Sequence, residues 1–222
     1  MRDNQPKHRQ SLRQGRHLAR KKATRAGLPA ILIVCEGKQT EPNYIHGFCV
    51  MHGINRANVV LIPGDGETSA IQLVRKARQR FQIDRDFDAV FVVCDCDGED
   101  PIEARRQAAK PMKNASGQIL AVQLIASSPC FEFWLLLHFE YLARPFPTAA
   151  SVIDILERHL TDYDKADRLI FPKVRSGLER ALGNARQLKT ELAAIGARTP
   201  DTDMAVLIEM LMTLRRTGIR NT

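Results

Sequence analysis

Four short apolar runs, at residues 30–35 (AILIVC), 58–62 (NVVLI), 89–94 (AVFVVC) and 119–125 (ILAVQLI), alternate with segments whose apolar residues recur at helical spacing. This is the pattern of βαβ units, and it confines the chain to an α/β fold built on a parallel sheet of about four strands flanked by helices. The runs are rich in Val, Ile and Leu without strict polar alternation, which predicts strands covered on both faces. Between them the spacing predicts helices at about 41–51, 70–81 and 102–112. In the second of these Ser69 is placed to cap, Gln72 stands at the capping-box position, and Ile71, Val74 and Ala77 form the apolar stripe. A fourth helix is expected directly after Ser127-Ser128-Pro129, with the proline in its first turn, where a missing N–H costs nothing.

Beyond residue 143 there is no strand signal, and helices are expected at about 149–160, 174–195 and 202–217. Leu178, Leu182, Ala185, Leu188 and Leu192 stripe the middle one, while Lys173, Arg175 and Arg180 give it a basic face suited to phosphate, or simply to solvent. The expected organisation is a basic arm at 1–28, a catalytic α/β domain at 29–142, and a helical C-terminal extension at 143–222 packed on it.

The charge is distributed unevenly. The 222-residue chain carries a formal +8, and residues 1–28 hold nine Lys and Arg, among them Lys21, Lys22 and Arg25, against the single acid Asp3. The remainder is balanced. An arm so poor in apolar residues cannot fold alone; it would attract phosphate backbones without reading sequence, or merely keep the chain in solution. With 44% hydrophobic residues overall, a fibrous or wholly disordered chain is excluded. Uninterrupted apolar stretches fall far short of the roughly 20 residues that cross a bilayer. The basic start lacks the apolar stretch of a secretory signal, so a cytoplasmic protein is expected. Five cysteines without a C-x-x-C agree with a reducing compartment.

The most informative residues are acidic. Asp95 and Asp97 follow the third apolar run in VFVVCDCDG, and residues two apart on an extended chain project to the same side. Two such carboxylates repel unless a hard divalent cation, Mg2+ or Mn2+, lies between them. Glu36 ends the first run in ILIVCEG, Glu41 falls in the first turn of the next helix, and Glu132 opens the helix after the fourth run. Helix dipoles alone favour acids at the last two positions. In open α/β sheets, however, the ligand crevice lies outside the carboxyl ends of the strands, where all five can meet.

The segments ILIVCEGKQTEPNYIHGF, VFVVCDCDG, SSPCFEFWLLLHF, YDKAD and RTPDTDMAVLIEML, in this order, resemble the RloB-like proteins, a branch of the Toprim superfamily near the overcoming-lysogenization-defect nucleases. The resemblance implies a Toprim-like catalytic core with a Mg2+ or Mn2+ centre acting on phosphodiesters in DNA or RNA. It also implies a role in antiphage or abortive-infection defence, often beside a separate ATPase. No G-x-x-x-x-G-K-[ST] occurs here, so any ATP hydrolysis would fall to that partner. Carried over by position, Glu36 is the general acid/base or a metal ligand, Asp95 and Asp97 are metal ligands, and Glu41 and Glu132 complete a second metal position. Lys165 in YDKAD is the candidate cation for transition-state charge.

Two rival readings remain at this point. The hhhhDxDG pattern also occurs in haloacid-dehalogenase-like phosphatases, where Asp95 would be a covalent nucleophile and Asp97 its acid/base. The chain could equally be a non-catalytic nucleic-acid-binding subunit of an ATPase complex. Smaller signals read as structure: His138, Trp134, Leu135 and Leu137 as core, Cys94 and Cys96 as small buried fillers lacking zinc-ligand spacing, and Gly64-Asp65-Gly66 as a turn.

Overall fold

The structure is a computed structural model that describes residues 29–65, 69–96 and 101–219, with side chains to 214. In chain order the strands are β1 (Ile31–Cys35), β2 (Val59–Ile62), β3 (Ala89–Asp95), β4 (Met112–Lys113), β5 (Ile119–Leu120), β6 (Val122–Ser128) and β7 (Asp201–Thr202). The α-helices are α1 (Thr40–Met51), α2 (Ala70–Ile83), α3 (Ile102–Ala108), α4 (Glu132–Leu136), α5 (Ala149–His159), α6 (Ile170–Val174), α7 (Leu178–Ile195) and α8 (Met204–Ile219). The main sheet runs β2-β1-β3-β6-β7; the first four strands are parallel, and β7 is antiparallel to β6.

Alternation along the strands divides the interior into two cores. Ile31, Ile33, Cys35, Phe91 and Val93 face one side, where they meet α1 and the apolar faces of α4 to α8. Leu32, Val34, Val90, Val92 and Cys94 face the other, against Leu73, Val74, Ala77 and Phe81 of α2 and Ala104 and Ala108 of α3. Every residue of β1 is buried, as continuous apolar runs require. Cys35, Cys49, Cys94, Cys96 and Cys130 are all buried free thiols. No helix of the described residues is long and apolar enough to cross a membrane.

Several boundaries differ from the sequence reading, each for a local reason. The run at 119–125 divides at Ala121: β5 pairs with β4 in a separate two-stranded sheet, while β6 joins the main sheet and extends to Ser128. The helix expected to reach 112 ends at Ala108, two residues before Lys110-Pro111, since a proline disfavours helix in the residue before it. Pro129 lies ahead of α4 rather than in its first turn. Ser69 occupies the N-cap position of α2, but its side chain makes no capping bond. The single helix expected over 174–195 is instead α6 and α7 separated by a 3-10 turn at Arg175–Gly177, where Ser176 and Gly177 are poor helix formers. A strand, β7, lies in the region expected to be wholly helical. Asp97, Lys21, Lys22, Arg25 and the whole 1–28 arm lie outside the described residues.

Candidate functional site

The carboxyl ends of β1, β3 and β6 open on one cavity of about 480 Å³, lined by Glu36, Glu41, Asp95, Glu132 and Lys165 together with Gly37, Thr40 and Phe131. Its walls are built from backbone donors. The N–H of Glu36 donates to Val93 O at 2.9 Å, continuing the β1–β3 ladder one residue past the strand. The N–H of Asp95 returns a bond to Glu36 Oε2 at 3.1 Å. Asp95 Oδ1 in turn accepts the N–H of Phe131 at 2.8 Å, tying the end of β3 to the turn that enters α4. Glu41 accepts the N–H of Gly37 at 3.0 Å, so the first turn of α1 holds the loop that carries Glu36. A Cβ at position 37 would fall 1.9 Å from Glu41 Oε2, so any side chain there would push the Glu41 carboxylate from its present place.

The two helices bearing Glu41 and Glu132 are clamped together through the core. His138 Nδ1 lies 3.0 Å from Trp134 O, and its Nε2 lies 3.1 Å from the Tyr44 hydroxyl. The carbonyl can only accept, so Nδ1 carries the proton and Tyr44 donates to Nε2. Burial pushes the imidazole down to about 4, keeping it neutral in that role. This is the core histidine expected from the sequence.

The charge balance of the cavity is unusual. Burial first, then the charges of Glu41, Glu132 and Glu36, push the Asp95 carboxyl up to about 8. Burial also raises Glu41, against its hydrogen bonds and the pull of Lys165. Glu132 is 3% exposed, and burial alone would raise it. The Lys165 ammonium at 3.1 Å and the Tyr163 hydroxyl at 2.8 Å outweigh that and hold its carboxyl below the usual range. The segment bearing both partners is pinned to α1, because Thr40 Oγ1 donates to Lys165 O at 3.1 Å and Asn43 Nδ2 to Ala166 O at 3.2 Å.

A Lys165→Met replacement is therefore expected to raise the Glu132 carboxyl, since burial would then be opposed mainly by Tyr163 and local hydrogen bonds. A side-chain 13C NMR titration reads this directly; an unchanged Glu132 would show that Lys165 is not its counterion.

Among the described residues, no three carboxylate, imidazole or thiol groups converge closely enough to hold a metal ion as they stand. The donor set nevertheless fits a hard divalent cation. Its candidate ligands are carboxylate oxygens, its four acids outnumber the two lysines of the lining, Lys38 and Lys165, and its central carboxyl is driven to retain a proton when no cation is bound.

Glu36, Glu41, Asp95, Glu132 and Lys165, all named from the sequence, meet at this cavity. Lys173, Arg175 and Arg180 do not line it. Lys173 pairs with Asp167 at 2.7 Å, and Arg180 donates to the carbonyls of His138 and Phe139 at the end of α4. Sequence reasoning missed Tyr163, although it stands two residues before Lys165 in the same YDKAD segment. It also missed Gly64, read only as part of a turn. The Gly64 N–H donates to Gly37 O at 3.0 Å, and a Cβ there would fall 1.7 Å from Glu36 O.

Fold and cavity together define an α/β protein with an acidic cluster at the carboxyl ends of its parallel strands. The family model for RloB-like proteins matches residues 31–211, and the chain belongs to that family. No curated protein and no solved structure matches it.

Proposed function

We propose that the chain is a Toprim-type, Mg2+- or Mn2+-dependent nuclease that hydrolyses phosphodiester bonds in DNA or RNA. It would act in the cytoplasm as part of antiphage defence, alone or with a separate ATPase. The observation that carries this reading is the meeting of Glu36, Glu41, Asp95 and Glu132 with Lys165 in one cavity. Such a set suits phosphoryl transfer, where catalysis is mostly positioning and charge neutralisation.

Glu36, Asp95, Glu41 and Glu132 would hold the cation, together with Asp97. When bound, it would lower the pKa of a water and neutralise charge on the phosphate. The residues of the chain do the rest. Glu36 takes the proton of the attacking water as its oxygen bonds to phosphorus, while the P–O bond to the ester oxygen breaks and that oxygen takes a proton from solvent. Asp95 is oriented by the Phe131 N–H, so it presents a fixed face to the cavity. Lys165 has a side chain 63% exposed although it is paired with Glu132, so it can also reach a phosphoryl oxygen at the mouth. The phosphatase alternative leaves Glu36, Glu41 and Glu132 without a role.

The test is incubation of the purified chain with plasmid, single-stranded DNA and transfer RNA in Mg2+ or Mn2+, with and without an ATPase partner. Glu36→Gln is expected to lower the cleavage rate by at least about 100-fold, within the range for loss of a general base. Equal products from wild type and Glu36→Gln would remove the catalytic claim. Phosphate release from a monoester that needs Asp95 but not Glu36 would favour the phosphatase.

A further inference from the structure

At the β7 edge of the sheet a second cleft, of about 410 Å³, opens between α7 and the β6–β7 ladder, with Cys96, the neighbour of Asp95, in its lining. Two buried oxygens in its lining, Ser128 Oγ and Asp201 Oδ1, have no hydrogen-bond partner among the described residues. They belong together: Ser128 and Asp201 are directly opposed in the antiparallel register of β6 and β7. Opposed side chains in such a pair emerge on the same face, about 5 Å apart.

The neighbouring pair shows what a self-contained arrangement looks like here. Ser127 and Thr202 bond hydroxyl to hydroxyl at 2.9 Å and are closed. Ser128 is only 9% exposed, and its hydroxyl oxygen, unlike that of Ser127, is buried without a partner among the described residues at the wall of the cleft. The other carboxylate oxygen of Asp201 is already engaged by Lys189 Nζ at 3.0 Å, and Lys189 also holds Asp203 Oδ1 at 2.7 Å. Buried oxygens without a hydrogen-bond partner are costly unless a ligand supplies one.

The remaining surfaces specify the filler. Leu192 and Ala193 of α7 supply an apolar wall, and Arg198 and Arg105, the latter already paired with Asp203 at 3.5 Å, bring positive charge to the cleft. A matching ligand is flat and apolar in its body and anionic at one end. Its opposite edge places a hydrogen-bond donor beside an acceptor.

We propose that this cleft binds a nucleotide. The base lies on Leu192 and Ala193, its polar edge meets Ser128 and Asp201, and its phosphate turns toward Arg105 and Arg198. Every base presents a donor next to an acceptor on its pairing edge, and Asp201 Oδ1 requires the donor. A sugar phosphate satisfies the arginines but leaves both oxygens open. The inference does not depend on the nuclease reading, since it concerns binding away from the carboxylate cavity.

The test is calorimetric titration of the full chain in EDTA, so that binding is read without cleavage. The ligands are AMP, CMP, a dinucleotide, ribose 5-phosphate and inorganic phosphate. Nucleotides are expected to bind at least about tenfold more tightly than ribose 5-phosphate or phosphate. Arg198→Ala should weaken them about fivefold, as expected for loss of a charge-assisted bond at an exposed site. Ala193→Phe, at an exposed helix position, should abolish binding by filling the cleft while the melting curve stays unchanged. Binding by mononucleotides marks the occupant as a free nucleotide; binding confined to the dinucleotide marks it as one residue of a strand. Equal affinity for inorganic phosphate, no saturable nucleotide binding up to about 10 mM, or binding indifferent to Ala193→Phe would overturn the proposal.

Discussion

In EDTA at neutral pH, an Asp95→Asn variant is expected to melt at a higher temperature than the wild type, and in Mg2+ it is expected to lose nearly all of the cleavage activity proposed above. The asparagine keeps an oxygen to accept the Phe131 N–H, so the turn into α4 stays in place. What it removes is a buried group that burial and the charges of Glu41, Glu132 and Glu36 oblige to take up a proton on folding. The Asp95 carboxyl sits at about 8 in the folded chain against an ordinary 3.8, so the folded state holds a proton that the unfolded chain has released. The stability this confers is complete below about pH 4 and is lost as pH rises toward and through 8. At about 1.4 kcal/mol per pH unit of difference, the loss is on the order of a few kcal/mol. Thermal melts in EDTA from pH 4.5 to 8.5 should therefore fall in the wild type and flatten in Asp95→Asn, and Mg2+ should restore the wild type at the upper end. A wild-type melting temperature that stays level across this range in EDTA would contradict the crowding of charge inferred for the cavity.

The second large effect is expected at a residue with no chemistry of its own. Replacing Gly64 by Ala places a Cβ 1.7 Å from Glu36 O and 2.6 Å from its carbonyl carbon. Those are main-chain atoms at the end of β1 and cannot swing aside as a side-chain tip can. Either the loop after β2 lifts and its bond to Gly37 O breaks, or Glu36 is displaced from the Asp95 N–H. Overpacking of this kind costs about 1–3 kcal/mol. Since a misplacement of about 1 Å costs roughly 100-fold in rate, activity should fall by a similar factor to that in Glu36→Gln. Urea unfolding and the plasmid assay check the two parts. A variant with wild-type stability and rate would mean that this loop does not position Glu36.

How much of this was legible in the sequence depends on what kind of signal each element carries. β1 and β3 were plain because AILIVC and AVFVVC are buried on both faces, and full burial imposes an apolar run. The meeting of Glu36 and Asp95 was equally readable, because each stands at the carboxyl end of a parallel strand, where such sheets open their crevice. β7 was not readable. It is two residues long, Asp201 and Thr202, and exists only because β6 offers it an edge. Nothing in a D-T-D triplet reports that partner. The division of 119–125 was hidden for a related reason: periodicity marks a strand but not the strand with which it pairs. Tyr163 escaped notice because its function, donating to Glu132, comes from a contact across 31 residues. Gly64 escaped because a glycine that fits a turn and one that avoids a collision look alike in a sequence.

The attachment of Tyr163 and Lys165 to α1 also sets an order of events during synthesis. Glu36, Glu41, Asp95 and Glu132 leave the ribosome first, and the cation that compensates Glu132 follows some thirty residues later. A nascent chain cut short between them carries the acids without their counterion and lacks the threonine–carbonyl tether that closes the rim. Truncated translation products would therefore lack the groups that offset the pocket's acids, and on the nuclease reading proposed above the competence to act on polynucleotides would arise only once the YDKAD segment has been made.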